Sequence, residues 1–418
     1  MKKLSIAFIF LLFVPVLMAE GVTNTPLAYT DCYKIALANS DAVKIQSERL
    51  TQANAAKIKS FGALLPTVTL DHERDFGING SLYFDKGWVS SITATQPVFH
   101  GLEKINAISV FDREAYKEEL NLISAKRSLA QNTAAAFYAL ASAQADMLNL
   151  QDGLSLLLER VTQLKQWLGI GKSRLSEVYA TESTAALLAS QLEQAKAQVD
   201  GYSDALSRVL GIEYQVTVIQ PAESTDGAAD INVTFTAQNR SDVLAQKAEL
   251  EASDKRIAAG LGTLLPQVDL SVTKPLGGSA YLGTTAYKDT GWQFMLLAQW
   301  PLFEGGSRVF DSISAFSQRE AAYRQYISTL LDVKYEVKSR VRDYAASAKI
   351  VAVMKDAFSK ASQSLKAQQA DYKFGLVTNV DVLQAMSNNT SVKQSLDRAI
   401  VQRELYKKSL EISSEVVK

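Results

Sequence analysis

General acid–base chemistry asks for paired carboxylates or a histidine within reach of one, and nucleophilic chemistry for a thiol or hydroxyl beside a base. The chain offers carboxylates such as Asp71 and Glu73, a single thiol at Cys32, and two histidines, His72 and His100, in unrelated contexts. A hydrolase built on Asp71 and Glu73 lacks any partner constellation. No Cys/His cluster has zinc-ligand spacing, and no phosphate-cradling glycine loop, nucleophile elbow or Ser/His/Asp set is present. We therefore expect no enzymatic activity, no catalytic residue, no metal and no cofactor. The 44 basic residues balance the 44 acidic ones, so there is no basic field to hold nucleic acid. Lone acidic residues read as solvated helix faces. One cysteine excludes an internal disulfide framework, and Cys32 reads as a packed core thiol of the first helix.

The elements that must position these residues occur twice. Asn39, Gln46, Gly62, Leu64, Leu65, Pro66 and Leu70 recur as Asn239, Gln246, Gly262, Leu264, Leu265, Pro266 and Leu270, each 200 residues on. Gly87, Trp88, Pro97, Phe99 and Gly101 recur as Gly291, Trp292, Pro301, Phe303 and Gly305, now 204 residues on, so the second copy carries a longer loop. Gly171, Glu177 and Val178 pair with Gly375, Asp381 and Val382 at the same 204. A period this long means two equivalent halves and not a solenoid of short repeats.

Residues 1–19 combine Lys2-Lys3 with an apolar run that is short for a bilayer span, and read as a cleavable secretory signal. A first repeat follows over 20–210, a linker over 211–238 and a second repeat over 239–418. Each half reads helix, strand, strand, very long helix, turn, helix. In the first half the helical pattern runs over 27–63, where Leu65-Pro66 stops it. Strands are expected near 67–76 and 88–99 around a glycine-containing loop, and near 267–275 and 292–303 in the second half. Inside the linker, 215–219 and 232–236 read as short strands. From Leu102 to Leu168 there is no proline and one glycine, Gly153, which predicts a helix of roughly 95 Å. Leu154, Leu157, Val161, Leu164 and Leu168 form a coiled-coil seam, and the returning helix repeats the alternation. Taken alone such seams describe a structural tether.

The strands separate the readings. About ten tilted residues cross a bilayer as β structure, and a spanning sheet must close because lipid cannot satisfy an open edge. Four strands cannot close, since the smallest membrane barrels have about eight. Several chains must therefore each donate part of one barrel. Trp292, Phe294, Leu296, Ala298 and Trp300 alternate onto one face, and Trp88 begins a weaker version of the same pattern. Trp88, Trp292 and Trp300 are the expected membrane-interface aromatics.

These marks resemble the outer-membrane efflux proteins of Gram-negative bacteria, the TolC-like channels. The resemblance rests on Leu64-Leu65-Pro66 and Leu264-Leu265-Pro266 leading into strands, and on Gln96-Pro97-Val98-Phe99-His100-Gly101 and Trp300-Pro301-Leu302-Phe303-Glu304-Gly305 leading out of them. Asp371-Tyr372-Lys373-Phe374-Gly375 at the second hairpin tip adds to it. It implies a mainly α chain with a small transmembrane β part, assembled as a homotrimer. The trimeric α-helical barrel would continue into a 12-stranded outer-membrane β-barrel with four strands per chain. It implies outer-membrane lipid, a periplasmic adaptor (membrane fusion) protein and an inner-membrane transporter as partners. The chain would be the passive exit duct of a tripartite efflux or type I secretion system, in the outer membrane and extending into the periplasm. A periplasmic coiled-coil adaptor or tether is the alternative, although no β-rich lipoyl-like block lies between the helices.

In the family the hairpin tips close the tunnel through polar links around a tyrosine, nearby aspartates and an arginine. Tyr372 and Asp381 stand at matching positions, and Glu177 stands where the other half often has aspartate. Val377 replaces the arginine and Gln384 a second aspartate, so Lys172 and Arg174 are candidate substitutes. Lys172, Arg174, Glu177, Tyr372 and Asp381 are thus the expected aperture residues. Thr378-Asn379-Val380-Asp381 also fits a capping box, a role for Asp381 compatible with gating. Gly171 and Gly375 are expected to turn the tips in a left-handed conformation.

Overall fold

The computed structural model describes residues 26–79, 82–223, 232–279 and 291–414. The expected signal at 1–19 lies outside the described residues, as do parts of the linker and of the second hairpin loop. The first helical stretch is two helices, α1 (Tyr29–Asn39) and α2 (Asp41–Gly62), where one was expected. Ser40 breaks it with an extended ψ of 113° and accepts a hydrogen bond from Val43 N, trading one helical residue for an N-cap. Strands β1 (Thr67–Asn79) and β2 (Leu82–His100) follow, then α3 (Glu103–Gly169) and α4 (Leu175–Leu210). The second half contains α5 (Val233–Asn239), α6 (Ser241–Gly262), β3 (Gln267–Ser279), β4 (Gln293–Gln299), α7 (Ser307–Lys373) and α8 (Asn379–Ser413). The 67 residues of α3 make a rod of about 100 Å.

The strands depart from expectation at their ends. β1 and β2 run on through the expected loop because the ladder continues, across a bulge at Asp75/Phe76, to Asn79↔Leu82. β3 likewise extends to Ser279. β4 stops at Gln299, short of Trp300-Pro301, where proline has no N–H to give. Among the described residues of the linker only Val218 forms a bridge, to Leu27, and 232–236 is not a strand. There Asn232 caps α5 by accepting from Phe235 N at 3.1 Å, and Ala237 packs with Val243, Val333 and Val337. Burial of that face against α7 overrides the β preference of Val233 and Thr234.

The four strands form one antiparallel sheet in the order β1-β2-β3-β4. Directly opposed residues share a face. Val68, Ala94, Val272 and Phe294 lie in one such row, and Leu70 with Ile92 and Leu270 with Leu296 extend the same face. Val68, Leu70, Phe294 and Leu296 are exposed on it. The opposite face carries Thr67, Thr95 and Ser271 in one row and Thr69, Thr93 and Thr273 in the next. Its hydroxyls meet across strands, Thr93 with Thr273 at 3.2 Å and Thr95 with Ser271 at 3.3 Å. One side of the sheet is thus mainly apolar, and the other is lined by hydroxyls across β1, β2 and β3, with Met295 and Leu297 of β4 beside them. No helix among the described residues is long and apolar enough to cross a membrane.

The helices pack into one main core around the middle of α3. Cys32 and Ala36 of α1 meet Ala134, Phe137 and Ala141 of α3, Leu206 and Leu210 of α4, and Val401 and Ile412 of α8. Cys32 is fully buried there, and burial pushes its thiol up to about 11. Glu223 ties the linker to the second helical hairpin by accepting from Lys355 of α7 at 2.6 Å and Arg403 of α8 at 3.0 Å.

The two halves interlock where β2 turns into α3. Gly101 has φ 58°, and a Cβ placed there would overlap the carbonyl oxygen of Gly262, while a Cβ on Gly262 would lie 2.6 Å from Gly101 O. The Gly101→Ala variant is expected to lose about 1–3 kcal/mol through left-handed strain and displaced backbone. Its thermal unfolding midpoint should fall well below that of Gly169→Ala, whose Cβ meets nothing within 4 Å.

Candidate aperture at the hairpin tips

The turn from α3 to α4 is closed by Gly171 at φ 74°, with Gly171 N donating to Leu168 O at 3.0 Å and Lys172 N to Trp167 O at 2.8 Å. The turn from α7 to α8 repeats it, with Gly375 at φ 73°, Gly375 N on Tyr372 O at 3.0 Å and Leu376 N on Asp371 O at 3.0 Å. These bonds satisfy the last carbonyls of each long helix and bring the hairpin ends side by side.

Between the tips lies a polar cluster centred on Arg160, a residue the sequence reading passed over. Arg160 is 7% exposed. Its Nε and Nη2 donate to Asn379 Oδ1 at 3.2 and 3.0 Å, and its Nη1 donates to Gln163 Oε1 at 2.7 Å. The guanidinium sits 4.1 Å from the centre of the Tyr372 ring and 5.5 Å from that of Trp167. The two rings are stacked at 5.7 Å with a 17° angle between planes. Asn379, 2% exposed, passes the network on by donating to Thr181 Oγ1 at 3.0 Å. Leu157, Ala185, Leu365, Val382 and Met386 form the apolar floor next to it.

Of the expected aperture residues, the fold joins Glu177 and Tyr372. Tyr372 OH donates to Glu177 Oε2 at 2.9 Å, as do Ser173 Oγ at 2.7 Å and Arg174 N at 3.3 Å. Burial alone would raise the Glu177 carboxyl, but these hydrogen bonds outweigh it and hold the group below its ordinary range. Tyr372 moves up, through burial first and then its bond to the carboxylate. The Arg160 guanidinium is drawn down by burial, opposed by Tyr372 and Glu177.

The expected links to Asp381 are not made within the chain. Asp381 accepts from Thr378 N at 2.8 Å and Thr378 Oγ1 at 2.6 Å, closing a capping box at the start of α8. The Thr378 bonds hold its carboxyl below the ordinary range. Lys172 and Arg174 are exposed, and among the described residues neither makes an ion pair. The carboxylate of Asp381 is occupied by its own helix start, and the cation of the tips is Arg160. One signal could have revealed it: Arg160 interrupts the apolar run of Leu157, Val161 and Leu164 on a packed helix face. A second is that the halves differ here, since Arg160, Trp167, Tyr372 and Asn379 correspond at 204 residues to Ser364, Asp371, Leu168 and Leu175.

The expected interface aromatics share the apolar face of the sheet by period. Trp88 lies opposite Arg74 and its ring is 5.4 Å from that of His72. Trp292 and Trp300 flank β4 and both are exposed, with Trp300 Nε1 donating to Leu264 O at 3.1 Å. Among the described residues no group of three or more His, Cys, Asp or Glu could hold a metal ion.

A duplicated pair of long helical hairpins, joined at asymmetric tips and crowned by a sheet with one apolar face, is a fold already seen in solved proteins. Crystal structures of CusC share it, with a TM-score of 0.84 over 93% of this chain and 92% of that one at 14% identity. The open state of the MtrE outer membrane channel of Neisseria gonorrhoeae matches with a TM-score of 0.81 over 92% and 88% at 15% identity. The sequence profile of the family described as "Outer membrane efflux protein" matches residues 235–410. "Outer membrane protein TolC" of Escherichia coli (strain K12) is 23% identical over 335 residues, 74% of this chain and 66% of that protein. "Outer membrane efflux protein BepC" of Brucella suis biovar 1 (strain 1330) is 22% identical over 84% of this chain and 76% of that protein. The chain thus spans just under two thirds of the TolC it matches. The profile covers less than half of the chain, which is similar to the outer membrane efflux proteins over that stretch.

Proposed function

We propose that this protein is the exit duct of a tripartite efflux or type I secretion system. It sits in the outer membrane of a Gram-negative bacterium and conducts substrates passively through a periplasmic helical tunnel. The single observation that carries the reading is the sheet, with its apolar face, its hydroxyl-lined face and its two unpaired edges among the described residues. An apolar face suits lipid and a hydroxyl face suits an aqueous lumen, and lipid forbids open edges. Three chains of four strands close a barrel of ordinary size. The relatives support the same reading, and a periplasmic adaptor and an inner-membrane transporter would then supply substrate and energy.

In this reading the cluster of Arg160, Trp167, Glu177, Tyr372 and Asn379 holds the two hairpins of one protomer together at the resting tunnel end. Lys172 and Arg174 are exposed at the tips and available to neighbouring protomers, while Asp381 caps the start of α8. Purified in mild detergent, the protein is expected to form particles of three protomers and to open pores in planar bilayers. A monodisperse monomer that conducts would overturn the assembly, and trimers that never conduct would overturn the channel.

A further inference from the structure

The two halves differ in charge where their strands run away from the helices. The first half reads Asp71, His72, Glu73, Arg74 and Asp75, and the second, 200 residues on, reads Ser271, Val272, Thr273, Lys274 and Pro275. Every ionisable side chain of this stretch is lost from the second copy except the cation. The residue across the ladder is kept as well. Trp88 lies opposite Arg74, and its counterpart Trp292 comes one step past the pair of Gln293 with Thr273, which places it opposite Lys274. Each hairpin therefore sets one cation against one tryptophan, at the end of the sheet remote from α2 and α3.

The sheet also sorts its charges by face. Across 67–74, 88–96, 267–274 and 293–299 the carboxylates Asp71, Glu73 and Asp269 all share the rows of hydroxyls, whereas the permanent cations Arg74 and Lys274 both belong to the apolar face with Leu70, Ile92 and Val272. An Arg or Lys on a lipid-facing strand costs about 2–4 kcal/mol at the middle of a bilayer and only about 0–1 near its border. Both cations stand where that cost is small. Arg74 comes after Val68 and Leu70 along β1, and Lys274 after Val268, Leu270 and Val272 along β3. At the helix end the same face is bounded by Trp300, eight residues from Trp292, or roughly 26 Å of strand, close to the ~25 Å apolar band of an outer-membrane barrel.

We infer that each hairpin binds a phosphate-bearing lipid headgroup of the outer leaflet, with its cation on the phosphate and its indole at the border of headgroup and acyl chain. Arg74 offers a planar fork that matches two phosphate oxygens, and Lys274 a point charge. The indoles of Trp88 and Trp292 suit a site that is apolar on one side and wet on the other. His72 steadies one of them, with its ring 5.4 Å from that of Trp88 and its Nδ1 2.7 Å from Ser90 Oγ. Charge alone would also suit an acidic protein, but the unbroken apolar rows beside the cations fit acyl chains and not a water-soluble surface. Equivalent positions of repeated hairpins lie at one height in a closed barrel, so every copy of the chain adds two such sites to one ring. The inference rests on the proposed channel for which face meets lipid and which end meets the exterior, and it adds the headgroup chemistry and the residues that read it.

The test titrates the full chain in mild detergent with phosphatidic acid, with phosphatidylcholine of the same acyl chains and with inorganic phosphate, and counts bound lipid by native mass spectrometry. Phosphatidic acid is expected to bind at least about fivefold more tightly than phosphatidylcholine. Arg74→Ala with Lys274→Ala should erase that preference and leave phosphatidylcholine binding as it was, while Arg74→Lys with Lys274→Arg should keep the preference. Lys34→Ala with Lys59→Ala, which removes exposed cations from α1 and α2, should change the binding of neither lipid. A preference that survives Arg74→Ala with Lys274→Ala, or that falls equally with Lys34→Ala and Lys59→Ala, overturns the site. Inorganic phosphate displacing the lipid at equal concentration overturns it too, since that would mark an anion site with no use for the acyl chains. Any of these results in a protein that still conducts in planar bilayers leaves the channel reading standing. The expected preference in a protein that never conducts sustains the site and overturns the channel, and failure of both overturns both.

Discussion

Replacing Arg160 by alanine is expected to loosen both hairpin tips together. The substitution strips Asn379 Oδ1 of two donors in a site from which water is excluded, and removes the cation from between Tyr372 and Asn379. Lost charge-assisted bonds and a desolvated cation–π contact together amount to about 2–4 kcal/mol of local stability. Amide exchange over 170–181 and 371–383 should then quicken roughly 30-fold or more, while the main core around Cys32 keeps its protection. Arg160→Lys should recover only part of the loss, because an ammonium cannot grip Asn379 with two nitrogens or lie flat on a ring. Tyr372→Phe removes only the bond to Glu177 and should cost less than Arg160→Ala. Exchange at the tips unchanged by Arg160→Ala would show that the cluster does not hold them.

The second large effect is expected at the junction of α3, α6 and α7. Asp242 accepts from Arg240 Nε at 2.9 Å and Nη2 at 2.7 Å, from Val243 N at 3.0 Å, and pairs with Arg127 Nη2 at 2.9 Å. Arg240 and Arg127 are both buried, and Glu336 completes the set at 2.7 Å from Arg240 Nη1. Removing one charge from such a set leaves two buried guanidiniums short of counter-charge, so Asp242→Asn should cost about 3 kcal/mol. Burial alone would raise the Asp242 carboxyl, but the bonds from Arg240 and the charges of Arg127 and Arg240 hold it below the ordinary range. A carboxyl with a depressed folded pKa contributes stability that is complete above its unfolded value of about 3.9 and is lost as pH falls through the folded value. The stability gap between the native chain and Asp242→Asn should therefore be level from about pH 5 to 8 and narrow below about pH 4. A gap that instead widens in acid would mean that Asp242 is not held ionised by these arginines.

The sequence by itself determined the features that depend on local or periodic chemistry. The 200- and 204-residue offsets, the proline stops after Leu65 and Leu265, the long helices and the tip glycines all follow from composition and spacing along one stretch of chain. The alternation that puts Phe294 and Leu296 on one face follows from a period of two, whatever the strand pairs with. Only the tertiary structure decided the rest. Ser40 splits the first helix and Asn232 starts a short one, because a side chain that caps a backbone N–H competes with continuing the pattern. β1 and β2 outran their expected ends because strand length is set by the neighbouring strand, which the sequence of either alone does not contain. Arg160 and Asn379 are 219 residues apart, and nothing in either stretch announces the other. The capping role of Asp381 was legible in Thr378-Asn379-Val380-Asp381, but only the fold decided that no distant cation joins it within the described chain. The duplicated sequence determined two equivalent halves, but the tip cluster is built from the positions where those halves differ, and only folding brings such unlike residues into contact.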